Sequence, residues 1–191
     1  RKLTTLAGER RVLVLVGERR TGKTSVLKHL SVRLDAPSYI PIYIDGNALG
    51  IDTGMENFFL SLATAITDGL EAVGISVPRL MPEGLQGSPK YVFERRFLPA
   101  VREQIGEHAL LFAIDEFEDM GSRVQSGRLP GEVFPYLRHM IQHEEQMAFI
   151  FAGTHKIQEL IGDYWSVLFN VAEYKQIGFL NREETVRLIT E

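Results

Sequence analysis

The sequence predicts an α/β fold in which helices cover both faces of a parallel sheet. Two observations carry that prediction. Short apolar runs rich in β-branched residues alternate with longer segments of helical periodicity. Such alternation builds strand–helix–strand units whose strands run parallel. Three of the runs, "VLVLV", "ALLFAI" and "MAFIFA", are almost wholly apolar, the pattern of strands buried on both faces.

Taken in order, the elements make a three-layer sandwich around a parallel five-stranded sheet. The first strand is Val12–Val16, and a helix follows over Lys23–Leu34. The second strand is Tyr39–Ile44, before a helix over Met55–Val73. Residues Pro78–Pro89, "PRLMPEGLQGSP", are rich in Pro and Gly and read as a surface loop. A helix over Tyr91–Ile105 leads to the third strand, Ala109–Ile114. Gly121–Gly131, "GSRVQSGRLPG", reads as a second loop directly after it. A helix over Glu132–Glu145, a strand at Met147–Ala152 and a fifth strand at Glu173–Gly178 complete the alternation. A last helix starts at Asn181, a good N-cap, with Glu184 three residues on as in a capping box. No repeat, low-complexity tract or linker divides the chain.

Composition narrows the function classes. The 191 residues suffice for one domain with a proper core. Apolar residues make up 45% and charged residues 24%, as in ordinary globular domains. A net charge of −4 lacks the basic excess of a domain that lives on nucleic acid. The absence of cysteine excludes disulfides, thiolate zinc sites and cysteine nucleophiles. No apolar run approaches the about 18 residues of a membrane span, and no signal peptide opens the chain. The expected setting is therefore cytoplasmic, with no membrane partner. The chain opens on Arg1 and stops at "REETVRLITE", in the middle of a helical pattern. It therefore reads as a piece of a longer protein.

The stretch "GERRTGKTS", Gly17 to Ser25, fits G-x-x-x-x-G-K-[ST] between a buried strand and a helix. A loop that wraps a phosphate must turn its backbone N–H groups inward. Gly17 and Gly22 permit that turn and the close approach. Lys23 reaches the β- and γ-phosphates, and the Thr24 hydroxyl ligates Mg²⁺. The helix starting near Lys23 aims its positive end at the same anion. The nucleotide-binding set is thus Gly17, Glu18, Arg19, Arg20, Thr21, Gly22, Lys23, Thr24 and Ser25. Within it, Arg19 and Arg20 occupy variable positions whose side chains are expected to point away from the phosphate.

Hydrolysis needs more than a phosphate loop. "LLFAIDEFED" ends a buried strand in two adjacent carboxylates. Asp115 is expected beside the Mg²⁺, holding it through water, and Glu116 as general base on the attacking water. Glu118 and Asp119 read as solvated charges. The strand "MAFIFAGTH" ends at Thr154, a candidate to reach the γ-phosphate or the attacking water. The catalytic set is Lys23, Glu116 and Thr154; the metal set is Thr24 and Asp115. Weaker signals are His139 and His143 at helical spacing beside Glu144, His155 after Thr154, and Asp45 at the end of the second strand. Trp165 and Phe169 read as packing residues.

The stretches "VGERRTGKTSVL", "PIYIDG", "LLFAIDEFE", "FIFAGT" and "IGFLNREETVRLI" resemble the P-loop ATPases of the AAA+/STAND group, archaeal-type STAND ATPase domains in particular. The resemblance covers nearly the whole chain. It implies a P-loop NTPase fold with strand order 5-1-4-3-2 and ATP as the nucleotide. It also implies a core over residues 1–180 and the start of a truncated helical lid over 181–191. A chain of that kind acts as a nucleotide-dependent ATPase switch in a larger signalling protein, with the lid and effector domains as partners. Self-association into a homo-oligomer is compatible with it. The other function that resembles it is the AAA+ ATPase of DNA transactions, of the origin-recognition or transposition-helper type. The acidic balance leaves nucleic acid out of the partners expected for this chain alone. Relatives usually carry an upstream box for the adenine, which this chain does not show. Many carry an arginine before the last strand; no arginine stands between Lys156 and Gly178. No arginine finger is assigned; Arg123, Arg128 and Arg138, which follow the acidic pair, are the first internal candidates.

Overall fold

A computed structural model describes residues 12–33, 38–49, 54–155 and 172–190. Strand β1 (Val12–Val16) is buried along its whole length, because it has a neighbour on either side. It pairs in parallel with β4 (Met147–Gly153) and with β5 (Glu173–Gln176). On the far side of β4 lie β3 (Ala109–Asp115) and then β2 (Tyr39–Asp45). The order β2-β3-β4-β1-β5 is the expected 5-1-4-3-2 read from the other edge.

Burial follows that order. The inner strands β3 and β4 are buried almost throughout. Edge strand β2 alternates instead: Ile40, Ile42 and Ile44 are buried, and Tyr43 and Asp45 face out. Pro41 is tolerated there because an edge strand leaves one side of its backbone unpaired. The other edge, β5, is short and largely exposed.

The two faces of the sheet differ in bulk. One carries Phe112, Phe149 and Phe151 with a wall of Val and Ile. It packs against α2 (Met55–Ala72), α5 (Leu98–Ile105), α6 (Phe117–Gln125) and α7 (Val133–His143). The other carries Ala113, Ala148 and Ala152 beside Leu13 and Leu15, and receives Leu27 and Leu30 of α1 (Lys23–Arg33). Small side chains let α1 approach closely, which seats its N-terminus over the ends of β1 and β3.

Three elements differ from the sequence reading. Residues Gly121–Gln125 are helical, the second half of α6, and the loop begins at Ser126. Phe117 and Met120 are buried, and Val124 packs against the same cluster. This apolar stripe outweighs the about 1 kcal/mol that Gly121 costs a helix. The Pro-rich segment contains a short helix, α3 (Pro82–Leu85), anchored by buried Leu85. The next helix starts earlier, as α4 (Pro89–Val92), and reaches α5 through a π-helical turn at Phe93–Phe97. The last helix, α8 (Arg182–Thr190), has the reciprocal cap read from sequence: Glu184 N–H donates to Asn181 Oδ1 at 2.9 Å, and Asn181 N–H to Glu184 Oε2 at 2.8 Å. Trp165 and Phe169 lie outside the described residues.

Candidate nucleotide-binding site

A cleft of about 550 Å³ opens at the C-terminal ends of the strands. It is lined by Arg19, Arg20, Gly22, Lys23, Thr24, Ser25, Asp115, Glu116, Glu118, Gly153 and Thr154. The phosphate-loop motif, the acidic pair and the β4 end therefore meet in one place, as strand order requires: β1 touches β4 and β4 touches β3.

The loop is built from behind by Gly17, Glu18 and Thr21. Gly17 N–H donates to the Gly153 carbonyl at 3.1 Å, tying the loop to β4. A Cβ on Gly17 would lie 2.4 Å from the Ile177 carbonyl oxygen, so only glycine fits. Thr21 Oγ1 donates to the Glu18 carbonyl at 2.9 Å and closes the turn. Gly22 has φ +91°, where a side chain is strained. Lys23 is buried and donates to the carbonyls of Gly17 at 2.8 Å and Glu18 at 2.7 Å. Its ammonium, with three donors, stands over the loop. Arg19 and Arg20 both border the cleft and are exposed. The backbone of Arg20 is left-handed, φ 67°.

Thr24 and Asp115, 91 positions apart, are joined by a 2.6 Å bond from Thr24 Oγ1 to Asp115 Oδ2. Giving its proton to the carboxylate leaves the threonine lone pairs for a cation. Asp115 is buried, takes the Glu116 N–H on Oδ1 at 3.0 Å, and has Tyr43 OH 3.3 Å from Oδ2. Burial first, and then the Asp115 charge, push the Tyr43 phenol up to about 12. It stays a neutral donor. Lys28 lies 5.4 Å from the centre of the same ring. Hard oxygen donors beside clustered carboxylates suit Mg²⁺ better than softer metals.

Glu116 is held in a left-handed conformation, φ 47° and ψ 43°. A non-glycine residue there costs on the order of 1–3 kcal/mol, and such strain concentrates at functional sites. Asn47 Nδ2 donates to Glu116 Oε2 at 3.1 Å. The hydrogen-bonding Asp119 carboxyl, and then burial, raise the Glu116 pKa above the ordinary glutamate value. A raised pKa makes the carboxylate a better proton acceptor. Asn47 itself sits on a turn made by Asp45, whose Oδ1 accepts the Asn47 N–H at 2.9 Å. Arg123 donates to the carbonyls of Asn47 and Leu49, so it braces that turn and does not line the cleft. Arg128 and Arg138 do not line it either.

Glu118 is not a solvated charge. It is buried, and its Oε1 accepts the Thr154 N–H at 2.9 Å. Sequence alone does not show this, because helix α6 starts at Phe117 and turns Glu118 back towards the end of β4. Tyr43 and Asn47 were missed too, since their partners lie 72 and 69 residues away. Elsewhere, His139 and His143 face each other with ring centres 4.7 Å apart, and Glu144 pairs with Arg102. His155 is exposed in the turn after Thr154.

A parallel sheet in this order, with a glycine-bounded loop, lysine and threonine against an aspartate at the next-but-one strand, defines the P-loop NTPase fold. The AAA domain family matches residues 6–161, and the chain belongs to that family. Among curated proteins none matches it. Solved structures show the same fold at low identity. A Walker-type ATPase of Pyrococcus abyssi is similar at 21% identity and TM-score 0.66, over 98% of this chain and 54% of that one. The ORC2 protein of Aeropyrum pernix, solved as ADPNP–ADP complexes, is similar at 14% identity and TM-score 0.65, over 98% and 47%. The Aeropyrum pernix ORC1 protein, in complex with DNA, is similar at 20% identity and TM-score 0.55, over 98% and 46%. The chain thus spans about half the length of these structures. Among the described residues no helix is long and apolar enough to cross a membrane.

Proposed function

We propose that this chain binds ATP with Mg²⁺ and hydrolyses it, as the nucleotide-dependent core of a larger protein. The observation that carries the reading is the contact of Thr24 with Asp115 in the cleft that also holds Lys23 and Glu116. Thr24 and Asp115 would hold Mg²⁺, which when bound offsets charge on the β- and γ-phosphates. Lys23 and the loop N–H groups bind and orient the phosphates. In hydrolysis the water oxygen bonds to the γ-phosphorus, the bond to the bridging oxygen breaks, and ADP and phosphate leave. Glu116 takes the water proton. Residues 1–180 form the core in this reading, and 181–191 begin a lid.

What the core drives has two readings. The first is a STAND-type switch in which nucleotide state sets the orientation of effector domains. The second is a DNA-transaction ATPase, supported by the likeness of fold to ORC proteins, one of them solved with DNA. The net charge of −4 favours the first reading weakly, since a DNA-binding appendage outside this chain could supply the basic surface.

Phosphate release and nucleotide affinity test the core reading together. Losing Lys23 removes charge-assisted hydrogen bonds of about 1.5–3 kcal/mol each, so Lys23→Ala is expected to weaken ATP binding at least about tenfold. Glu116→Gln is expected to keep ATP affinity and lose about 10²–10⁴-fold in turnover. Equal ATP affinity in folded Lys23→Ala sinks the binding site. Wild-type turnover in Glu116→Gln removes Glu116 as the base.

A further inference from the structure

The two carboxylate oxygens of Glu118 have different surroundings. Oε1 accepts the Thr154 N–H at 2.9 Å. Oε2 is buried and has no hydrogen-bond partner among the described residues, and the same holds for Thr154 Oγ1. Glu118 is 9% exposed, and both residues line the cleft at the mouth of the phosphate loop. A buried carboxylate oxygen without a donor costs about 1–3 kcal/mol or more, and native proteins satisfy nearly all such atoms. The cleft must supply a donor when it works.

The chemistry of the cleft selects the donor. Phosphate oxygens accept hydrogen bonds and carry negative charge, so they cannot sit on Glu118 Oε2. The Lys23 ammonium gives two of its three donors to the Gly17 and Glu18 carbonyls and keeps the third for a phosphate. A water molecule has the matching chemistry: one O–H can donate to Oε2 while the Thr154 hydroxyl takes a second contact. Glu116, the other carboxylate within reach, is bound to Asn47 and half-buried.

We propose that Glu118 is a further catalytic carboxylate, which anchors Thr154 through Oε1 and seats the attacking water through Oε2 and the Thr154 hydroxyl. The proposal rests on the hydrolytic reading above. The seated water gives its second proton to Glu116 as its oxygen bonds to the γ-phosphorus and ADP departs, so Glu118 orients and is not consumed.

Glu118→Gln separates the two oxygens. Its amide oxygen keeps the Thr154 N–H contact, and its NH₂ replaces the open acceptor by a donor. Misplacing a reactant by about 1 Å costs on the order of 10²-fold. Glu118→Gln is therefore expected to lower kcat by about that factor. Removing negative charge beside the terminal phosphate is also expected to tighten ATP relative to ADP several-fold, read by calorimetry with each nucleotide. Thr154→Val keeps the shape without the hydroxyl. Its kcat is expected to fall similarly, with little further loss in the double variant, because one water is lost once. Should the glutamine variant fail to fold, Thr154→Val alone decides: wild-type kcat there overturns the seat. A folded Glu118→Gln with wild-type kcat and an unchanged ATP-to-ADP affinity ratio overturns it too. Absent phosphate release from the wild type overturns the hydrolytic reading instead, and the affinity ratio then decides whether the acceptor at Glu118 faces the terminal phosphate.

Discussion

At Gly17 a methyl group would sit 2.4 Å from the Ile177 carbonyl oxygen and 2.7 Å from Thr21 Oγ1. The first neighbour is backbone, so it cannot swing aside. It belongs to the segment whose N–H donates to the Val16 carbonyl at 2.7 Å, the seam between β1 and β5. Gly17→Ala is therefore expected to push the loop off β5 and misdirect the carbonyl that holds Lys23. The expected outcome is a fall in ATP affinity of about tenfold or more, with a destabilisation of about 1–3 kcal/mol as for overpacking in a core. Nucleotide titration and thermal unfolding read the two effects. A variant with wild-type values in both would show that the seam yields freely. Gly46 is under the same constraint on the other side of the cleft. Its Cβ would meet the Asp115 carbonyl oxygen at 2.7 Å and the Glu116 carbonyl oxygen at 2.8 Å.

At the scale of elements, β3 and β4 hold the acidic pair and Thr154 at one level. Their register pairs Phe112 with Phe149, and these rings stack at 5.1 Å between centres. Phe149 is 1% exposed. Phe149→Ala is expected to cost about 3–5 kcal/mol, through lost burial and the cavity left behind. Urea unfolding measures it; a loss under about 1 kcal/mol would mean that the face collapses to fill the space. Helix α6 acts differently. Packing of Phe117 and Met120 starts it immediately after Glu116, and that start aims Glu118 at Thr154.

For the whole molecule, the cleft is assembled from the loop after β1, α1, β3, α6 and β4, so a nucleotide bridging them favours the folded chain over the unfolded one. At a free concentration about 100 times Kd, a ligand that binds the folded state alone adds about 2.7 kcal/mol. For a chain of this size that raises Tm by roughly 5–11 °C. Thermal unfolding with and without ATP and Mg²⁺ is expected to show the rise in wild type and to lose it in Lys23→Ala. A rise retained in that variant would place the nucleotide elsewhere. The same scale explains why an acidic protein can hold a polyanion. Lys23, Arg19, Arg20 and the N-terminus of α1 gather around the loop, and local field outweighs net charge at short range.

What the sequence determined by itself is local. Continuous apolar runs at Val12–Val16, Ala109–Ile114 and Met147–Ala152, short and rich in β-branched residues, read as strands covered on both sides. The glycine spacing before Lys23 and Thr24, and the Asn181–Glu184 cap, are written within a few residues. Their energetics are decided there, by φ, by hydrogen bonds to near neighbours and by periodicity. Tertiary structure decided everything that needs two distant segments in register. It brought Asn47 to Glu116, Tyr43 to Asp115, and Ile177 over Gly17. It also turned Gly121–Gln125 into helix and buried Glu118 against Thr154. The pairings have no local signature, because each depends on which strand lies beside which; the helix at Gly121–Gln125 has one in the spacing of Phe117, Met120 and Val124, masked by the surrounding Gly and Ser. A polar side chain reads as solvated until the neighbour that buries it is in place.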